Sequence, residues 1–245
     1  MVRLLKMDDV KLARYLAQGA GDLLLSIREK GDLTGKELGK AGDFEANQWL
    51  TAELAKHRPH DGILSEEMRD TPTRLTKSRV WIIDPVDGTR EYGEARNDWA
   101  VHIGMAVDGD AHLGAVALPA IGLILDSETA RAPSELGDPL RLVVSRTRPA
   151  AEAVMVAEAL GAILVPMGSA GAKAMAVVRG EADIYLHSGG QYEWDSCAPV
   201  AVAKGAGLHC SRLDGRPLRY NQSDVSLPDL LICHHQMADQ IFSLL

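Results

Sequence analysis

The sequence predicts an α+β protein with an antiparallel-sheet lobe at its N-terminal end, residues 1 to 140, and an α/β lobe from 141 to 245. Two patterns carry this expectation. Between Trp99 and Leu125, β-branched and apolar runs follow one another, broken only by Asp108-Gly109-Asp110 and Pro119-Ala120, as in a meander of antiparallel strands. From Leu142 onward, apolar runs alternate with helix-length segments, the rhythm of an α/β unit. The polar, Pro- and Gly-containing stretch from Asp126 to Pro139 separates the two patterns.

Taken in order, Val10, Ala13, Ala17, Ala20, Leu24 and Ile27 recur at helical spacing after Asp8 and Asp9, which predicts a capped amphipathic helix over residues 8 to 30. Gly31 to Gly42, rich in Gly and Lys, reads as a loop. It is not a phosphate-binding P-loop, because only three residues separate Gly31 from Gly35 and Glu37 follows Lys36. Asp43 reads as the start of a second helix reaching about Lys56, where an Asp serves first as an N-cap. Gly62 to Glu67 reads as a short strand bearing two acids, of which alternation lets one reach a shared site. Val80 to Ile83 is a buried strand, broken by Asp84-Pro85-Val86-Asp87-Gly88 into a tight loop. In the second lobe, strands are expected at 142–144, 162–165, 182–186, 207–211 and 230–233, with helices at 149–160, 170–179 and 195–204.

Asp84 and Asp87 leave the end of a buried strand three residues apart. Pro85 fixes its own backbone torsion and Gly88 permits a sharp turn, so both carboxylates and the Val86 carbonyl can converge. Such hard oxygen donors suit Mg²⁺. A solvated Asp-Pro-x-Asp-Gly turn explains the same residues, as plain surface acids explain Glu66 and Glu67. Gly168-Ser169, before a helix carrying Lys173, reads either as an ordinary cap or as an anion contact. Tyr192 is either a surface tyrosine or a substrate contact.

Composition narrows the field. A net charge of −8 argues against a nucleic-acid polymer as partner, and 4% aromatic content leaves little for a base-stacking platform. Three cysteines without C-x-x-C spacing point to neither a disulfide framework nor a zinc site, which fits a reducing cytoplasm. No segment reads as a signal peptide or membrane span. The eight histidines give no ligand pair on a helix face, and no G-x-S-x-G elbow supports serine hydrolysis.

The run Trp81-Ile-Ile-Asp84-Pro-Val-Asp87-Gly-Thr89, together with Trp194-Asp195, resembles the two signatures of the inositol monophosphatase superfamily of Mg²⁺-dependent, lithium-sensitive phosphatases. Arg90-Glu91-Tyr92 and Gly215-Arg-Pro-Leu-Arg-Tyr220 look more like its 3′-phosphoadenosine 5′-phosphate (PAP) phosphatase branch than its inositol branch. The resemblance implies a layered αβαβα sandwich, as in inositol monophosphatase and fructose-1,6-bisphosphatase. It implies two or three Mg²⁺ ions held by Glu66, Asp84, the Val86 carbonyl, Asp87 and Asp195. Asp43, Glu66 and Thr89 take the catalytic positions. Asp87, Gly88, Thr89, Arg90, Gly168, Ser169, Lys173, Tyr192 and Asp195 surround the substrate. The expected reaction removes the 3′-phosphate of PAP to give AMP in sulfate assimilation. Inositol-1-phosphate and fructose-1,6-bisphosphate are the alternatives within the fold, and a catalytically silent metal-binding regulator is the alternative outside it. Family members are often homodimers, a state that these residues do not themselves reveal.

Overall fold

The computed structural model describes residues 7–245. Two five-stranded sheets lie between three layers of helices. The first sheet has the order β1 (Gly62–Ser65), β2 (Arg79–Asp87), β3 (Ala100–Val107), β4 (Asp110–Leu118), β5 (Leu123–Asp126). All its pairings are antiparallel except β1 with β2, which is parallel. The second sheet has β7 (Ile163–Met167), β6 (Arg141–Ser145), β8 (Ile184–Ser188), β10 (Asp229–Cys233) and β9 (His209–Ser211) side by side, parallel at the β7-β6-β8 end and antiparallel beyond.

Period-two alternation assigns each strand residue to a layer. Trp81 and Ile83 on β2, with Val101, Ile103 and Met105 on β3, pack beneath the outer helices α1 (Asp9–Lys30) and α2 (Gly35–His57). Val80 and Ile82 face the other way and share a core with α5 (Ala170–Val178), α6 (Glu193–Gly205) and the inner face of the second sheet at Val143, Tyr185 and Ile232. Leu142, Val144, Ile184 and Leu231 complete the stack against α4 (Ala151–Leu160) and α7 (His235–Phe242). The result is the expected αβαβα sandwich. The helix α6 sits close on the first sheet because Gly104 and Gly114, cross-strand partners, leave it room. A Cβ on either would approach Ala198 of α6 within 3.0 Å, at 2.8 and 2.9 Å.

Four expectations change. Residues 35–42 are not a loop: α2 begins at Gly35, so Asp43 lies inside the helix instead of capping it. Lys36, Glu37, Leu38, Lys40 and Ala41 all favour helix. The glycines that read as loop punctuation are packing glycines. A Cβ at Gly39 would fall 2.7 Å from Thr89 Cγ2, and one at Gly42 equally close to the Tyr92 ring. Second, β2 runs on through Asp84-Pro85-Val86 to Asp87, its register with β3 shifting between the two aspartates. Such a bulge accommodates a proline and re-aims side chains. Third, Glu66 and Glu67 lie in the turn after β1, not on the strand. Fourth, the chain continues past β10 into α7, with His234 at its N-cap position and Met237, Ala238 and Ile241 buried. Among the described residues no helix is long and apolar enough to cross a membrane.

Candidate active site

The end of β2 meets the second half of the molecule at the N-termini of α5 and α6. The Val86 N–H donates to Asp84 Oδ1 at 3.0 Å, which folds the chain back over the bulge. Gly88 then takes φ +88°, a left-handed conformation natural to glycine, and starts the short helix α3 (Thr89–Gly93). The Thr89 hydroxyl donates to the Val86 carbonyl at 3.2 Å. Asp195 stands in the first turn of α6, and its Oδ2 accepts from the Tyr192 N–H at 2.7 Å. Carboxylate oxygens of Asp84, Asp87 and Asp195 all lie within 4.8 Å of one another. Asp84 and Asp87 are almost fully buried.

These acids are unequally served. Asp87 accepts from the Ser169 hydroxyl, from the Ala170 N–H at 3.0 Å and from the Gly171 N–H at 2.6 Å, capping α5 from across the domain. His102 Nε2 lies 3.1 Å from it. Burial pushes the Asp87 carboxyl up, but the His102 charge, the Ser169 hydrogen bond and the Lys173 charge outweigh it and hold it well below the usual carboxylate range. Asp84 is driven the other way. Its burial, compounded by the charges of Glu66, Asp87 and Asp195, raises it far above a normal aspartate. Burial, and then the Asp87 charge, pushes Asp195 up to about 7.

Asp43 faces the same centre from α2. Burial and the charges of Glu67 and Glu66 lift it to about 8, against the Thr89 hydroxyl that favours its anion. Its Oδ1 has no partner among the described residues. Glu66 lies beside Asp84 but outside the three-carboxylate group, with one edge open to solvent. Desolvation raises its carboxyl, a hydrogen bond with Asp84 opposes this, and the Glu67 and Asp87 charges raise it further. Asn47 fixes this turn: its Oδ1 accepts from the Ser65 hydroxyl at 2.8 Å and its amide donates to the Glu67 carbonyl at 3.4 Å.

The remaining sequence-predicted residues divide into two groups. Gly168, Ser169 and Lys173 are buried behind Asp87. The Gly168 N–H donates to Asp98, and the Lys173 ammonium donates to the carbonyls of Gly168 and Ser169 at 3.3 and 2.5 Å. Arg90 and Tyr192 are exposed. Tyr192 stacks on Trp194 with ring centroids 4.9 Å apart and 18° between planes.

His102 is the site residue that sequence reasoning missed. It is fully buried, and its Nδ1 lies 3.0 Å from the Trp194 carbonyl. One imidazole thus touches the strand end bearing Asp87 and the helix turn bearing Asp195. Its signal was a single histidine in the apolar strand Ala100-Val101-His102-Ile103, but its partners are distant in sequence.

Buried acids repelling one another, a carboxylate oxygen with no protein donor, and oxygen donors alone make a set that a hard divalent cation would satisfy. The fold and this acidic centre define a phosphatase-type architecture, and the comparisons with known proteins agree on its lineage. The profile of the inositol monophosphatase family matches residues 8–160 and 141–243, and the chain belongs to that family. It is 49% identical to the 3′-phosphoadenosine 5′-phosphate phosphatase of Mycobacterium leprae, over 95% of this chain and 92% of that protein. It is 28% identical to the 3′(2′),5′-bisphosphate nucleotidase CysQ of Escherichia coli O157:H7, over 84% and 91%. In fold it matches the crystal structure of CysQ from Bacteroides thetaiotaomicron, with a TM-score of 0.81 at 23% identity over 91% and 95% of the two chains.

Proposed function

We propose that this chain is a Mg²⁺-dependent phosphomonoesterase that removes the 3′-phosphate of PAP to give AMP. The observation that carries the chemistry is the convergence of Asp84, Asp87 and Asp195 in front of Thr89. The names of the similar proteins support the substrate.

Asp84, Asp87, Asp195 and the Val86 carbonyl, with Glu66, would hold Mg²⁺, two or three ions in all. When bound there, Mg²⁺ supplies positive charge against the phosphate and lowers the pKa of a coordinated water. The protein's own part is positional. Thr89 stands between the Val86 carbonyl, to which its hydroxyl donates, and Asp43; when that hydroxyl turns to the ionised Asp43 carboxylate, Thr89 takes the proton of the attacking water and passes its own to Asp43. The Gly88 and Thr89 N–H groups are assigned to the phosphate oxygens, where the transition state gathers charge. Arg90 and Tyr192 at the open rim contact the substrate directly. Gly168, Ser169 and Lys173 act through Asp87, which they hold in place.

The test is phosphate release from PAP, inositol-1-phosphate and fructose-1,6-bisphosphate, each with Mg²⁺, with EDTA and with lithium. PAP is expected to turn over at least about tenfold more efficiently than the others, a 1.4 kcal/mol preference. EDTA should abolish the activity and lithium should inhibit it. Equal turnover of all three overturns the preference for PAP over the other phosphates, and turnover of none removes the enzymatic function.

A further inference from the structure

A buried arginine joins two segments that are far apart in the chain. The short 3-10 helix Pro72–Thr76 follows the turn that bears Glu66, and the side chain of its Arg74 is only 1% exposed. The Arg74 guanidinium forks onto Asp70 at 2.7 and 2.8 Å, and also donates to the Asn221 side-chain oxygen at 2.8 Å and to the Gln222 carbonyl at 2.9 Å. Asn221 returns the contact, its amide donating to the Arg74 carbonyl at 3.3 Å. Residues 147 positions apart are thereby bolted together.

The bolt continues into α6. The N–H groups of Asn221 and Gln222 donate to the two carboxylate oxygens of Glu193, at 2.6 and 2.7 Å, and the Glu193 N–H donates to the Val225 carbonyl at 2.9 Å. Glu193 is buried in the first turn of α6, two residues before Asp195. At the other end, Asp70 lies four residues after Glu66. One hydrogen-bonded path therefore runs from the Glu66 turn through Asp70, Arg74, Asn221 and Glu193 to the helix start that carries Asp195.

A buried arginine paired to a carboxylate adds little net stability, because the loss of its hydration offsets the attraction. Its planar fork fixes direction instead. Asn221 takes φ +58°, a left-handed conformation that asparagine tolerates, with its side chain closed on Arg74. The path also has something to resist: Glu66 and Asp195 repel one another across the centre, and without an ion that repulsion drives the turn and the helix apart.

We infer that Arg74, through Asn221 and Glu193, is a positioning residue that sets the spacing between Glu66 and Asp195 and thereby the affinity of the acidic centre for Mg²⁺. This rests on the metal-dependent reading of the site. Arg74 acts through the backbone it holds, and it takes no part in the chemistry.

The experiment uses the full chain and three variants. Arg74→Met keeps the length and drops the bonds, and Asn221→Gly suits the left-handed backbone and removes only the side-chain link. Arg212→Met is the control, breaking a comparable pair with Asp229 at the edge of the second sheet. Calorimetry measures Mg²⁺ binding to the metal-free proteins, and hydrogen exchange follows residues 66–71 and 191–196. Arg74→Met should bind Mg²⁺ roughly tenfold more weakly, the scale for losing groups that support metal ligands. Asn221→Gly should bind it about threefold more weakly, as for one hydrogen bond. At low Mg²⁺ the kcat for PAP should fall in step and recover as Mg²⁺ is raised, with KM for PAP within about twofold of wild type. Both segments should exchange faster together in Arg74→Met, and Arg212→Met should match wild type in Mg²⁺ binding and in both segments. The inference is overturned if Arg74→Met and Asn221→Gly bind Mg²⁺ as wild type does, if Arg212→Met weakens binding equally, or if faster exchange spreads over the whole chain. Should Arg74→Met not fold, Asn221→Gly alone decides. A wild type that binds no Mg²⁺ removes the metal-dependent reading instead, and exchange then decides: joint loosening of the two segments supports the bolt, and unchanged exchange overturns it.

Discussion

Asp84 and Asp87 leave the same strand three residues apart and live in different electrostatic worlds. Asp87 faces the half of the site built by α5, where Ser169, two backbone N–H groups and His102 satisfy it. Asp84 faces α2, the turn after β1 and the first turn of α6, whose side chains Asp43, Glu66 and Asp195 are acids like itself. The first half is complete without an ion and serves as frame. The second is electrostatically unfinished, and the proposed Mg²⁺ completes it.

Substitutions should separate the two. Asp84→Asn is expected to reduce turnover by roughly a thousandfold or more, the scale of losing a major transition-state stabiliser. It should at the same time raise the metal-free melting temperature, because it removes a buried carboxyl that must either take up a proton or hold a charge among like neighbours. Asp87→Asn should be comparably inactive yet melt lower, since the amide keeps the volume but loses charged bonds to α5 and His102. A loss of about 1–3 kcal/mol there corresponds to several degrees in a chain of this size. Paired activity assays and thermal melts check both, and an Asp87→Asn protein as stable as wild type would contradict the frame role.

The pH dependence of the metal-free protein sharpens the same contrast. Asp43 and Asp195 are raised to about 8 and about 7 from an ordinary 3.8. The folded state therefore holds more protons than the unfolded state between pH 4 and 8, and stability falls as pH rises through that window. Saturating Mg²⁺ should raise the melting temperature more at pH 8 than at pH 5. Calorimetric melts with and without Mg²⁺ measure this, and an equal increment at both pH values would contradict it. Next in size, His102→Ala should cost roughly 10- to 100-fold in turnover, by loosening Asp87 against Trp194, with partial recovery in His102→Gln. Smallest is Asp8→Ala, which removes the N-cap of α1, where Asp8 accepts from the Lys11 N–H at 2.8 Å. It should lower the melting temperature slightly and leave turnover unchanged.

What could be read from the sequence follows the same division. The centre around Asp84, Val86 and Asp87 was legible because the strand and the turn are coded by adjacent residues, although the bulge that carries β2 on to Asp87 was read as a loop; the alternating runs of the two sheets were legible for the same reason. Gly39 and Gly42 misled because their meaning lies in Thr89 and Tyr92, about fifty residues away, and not in local backbone freedom. His102 was invisible because each ring nitrogen is explained only by a distant chain segment, Trp194 on one side and Asp87 on the other. Short α7 fell below what periodicity resolves, eight residues offering barely two turns.

The paired glycines at 104 and 114 have a further consequence for the gap between the acidic side chains. They set how deeply α6 sinks onto the first sheet, and α6 carries Asp195. A single methyl group at either position would jack the helix outward and carry that carboxylate away from its two companions. The spacing of the acidic cluster is thus gauged from the rear, by atoms the protein leaves out.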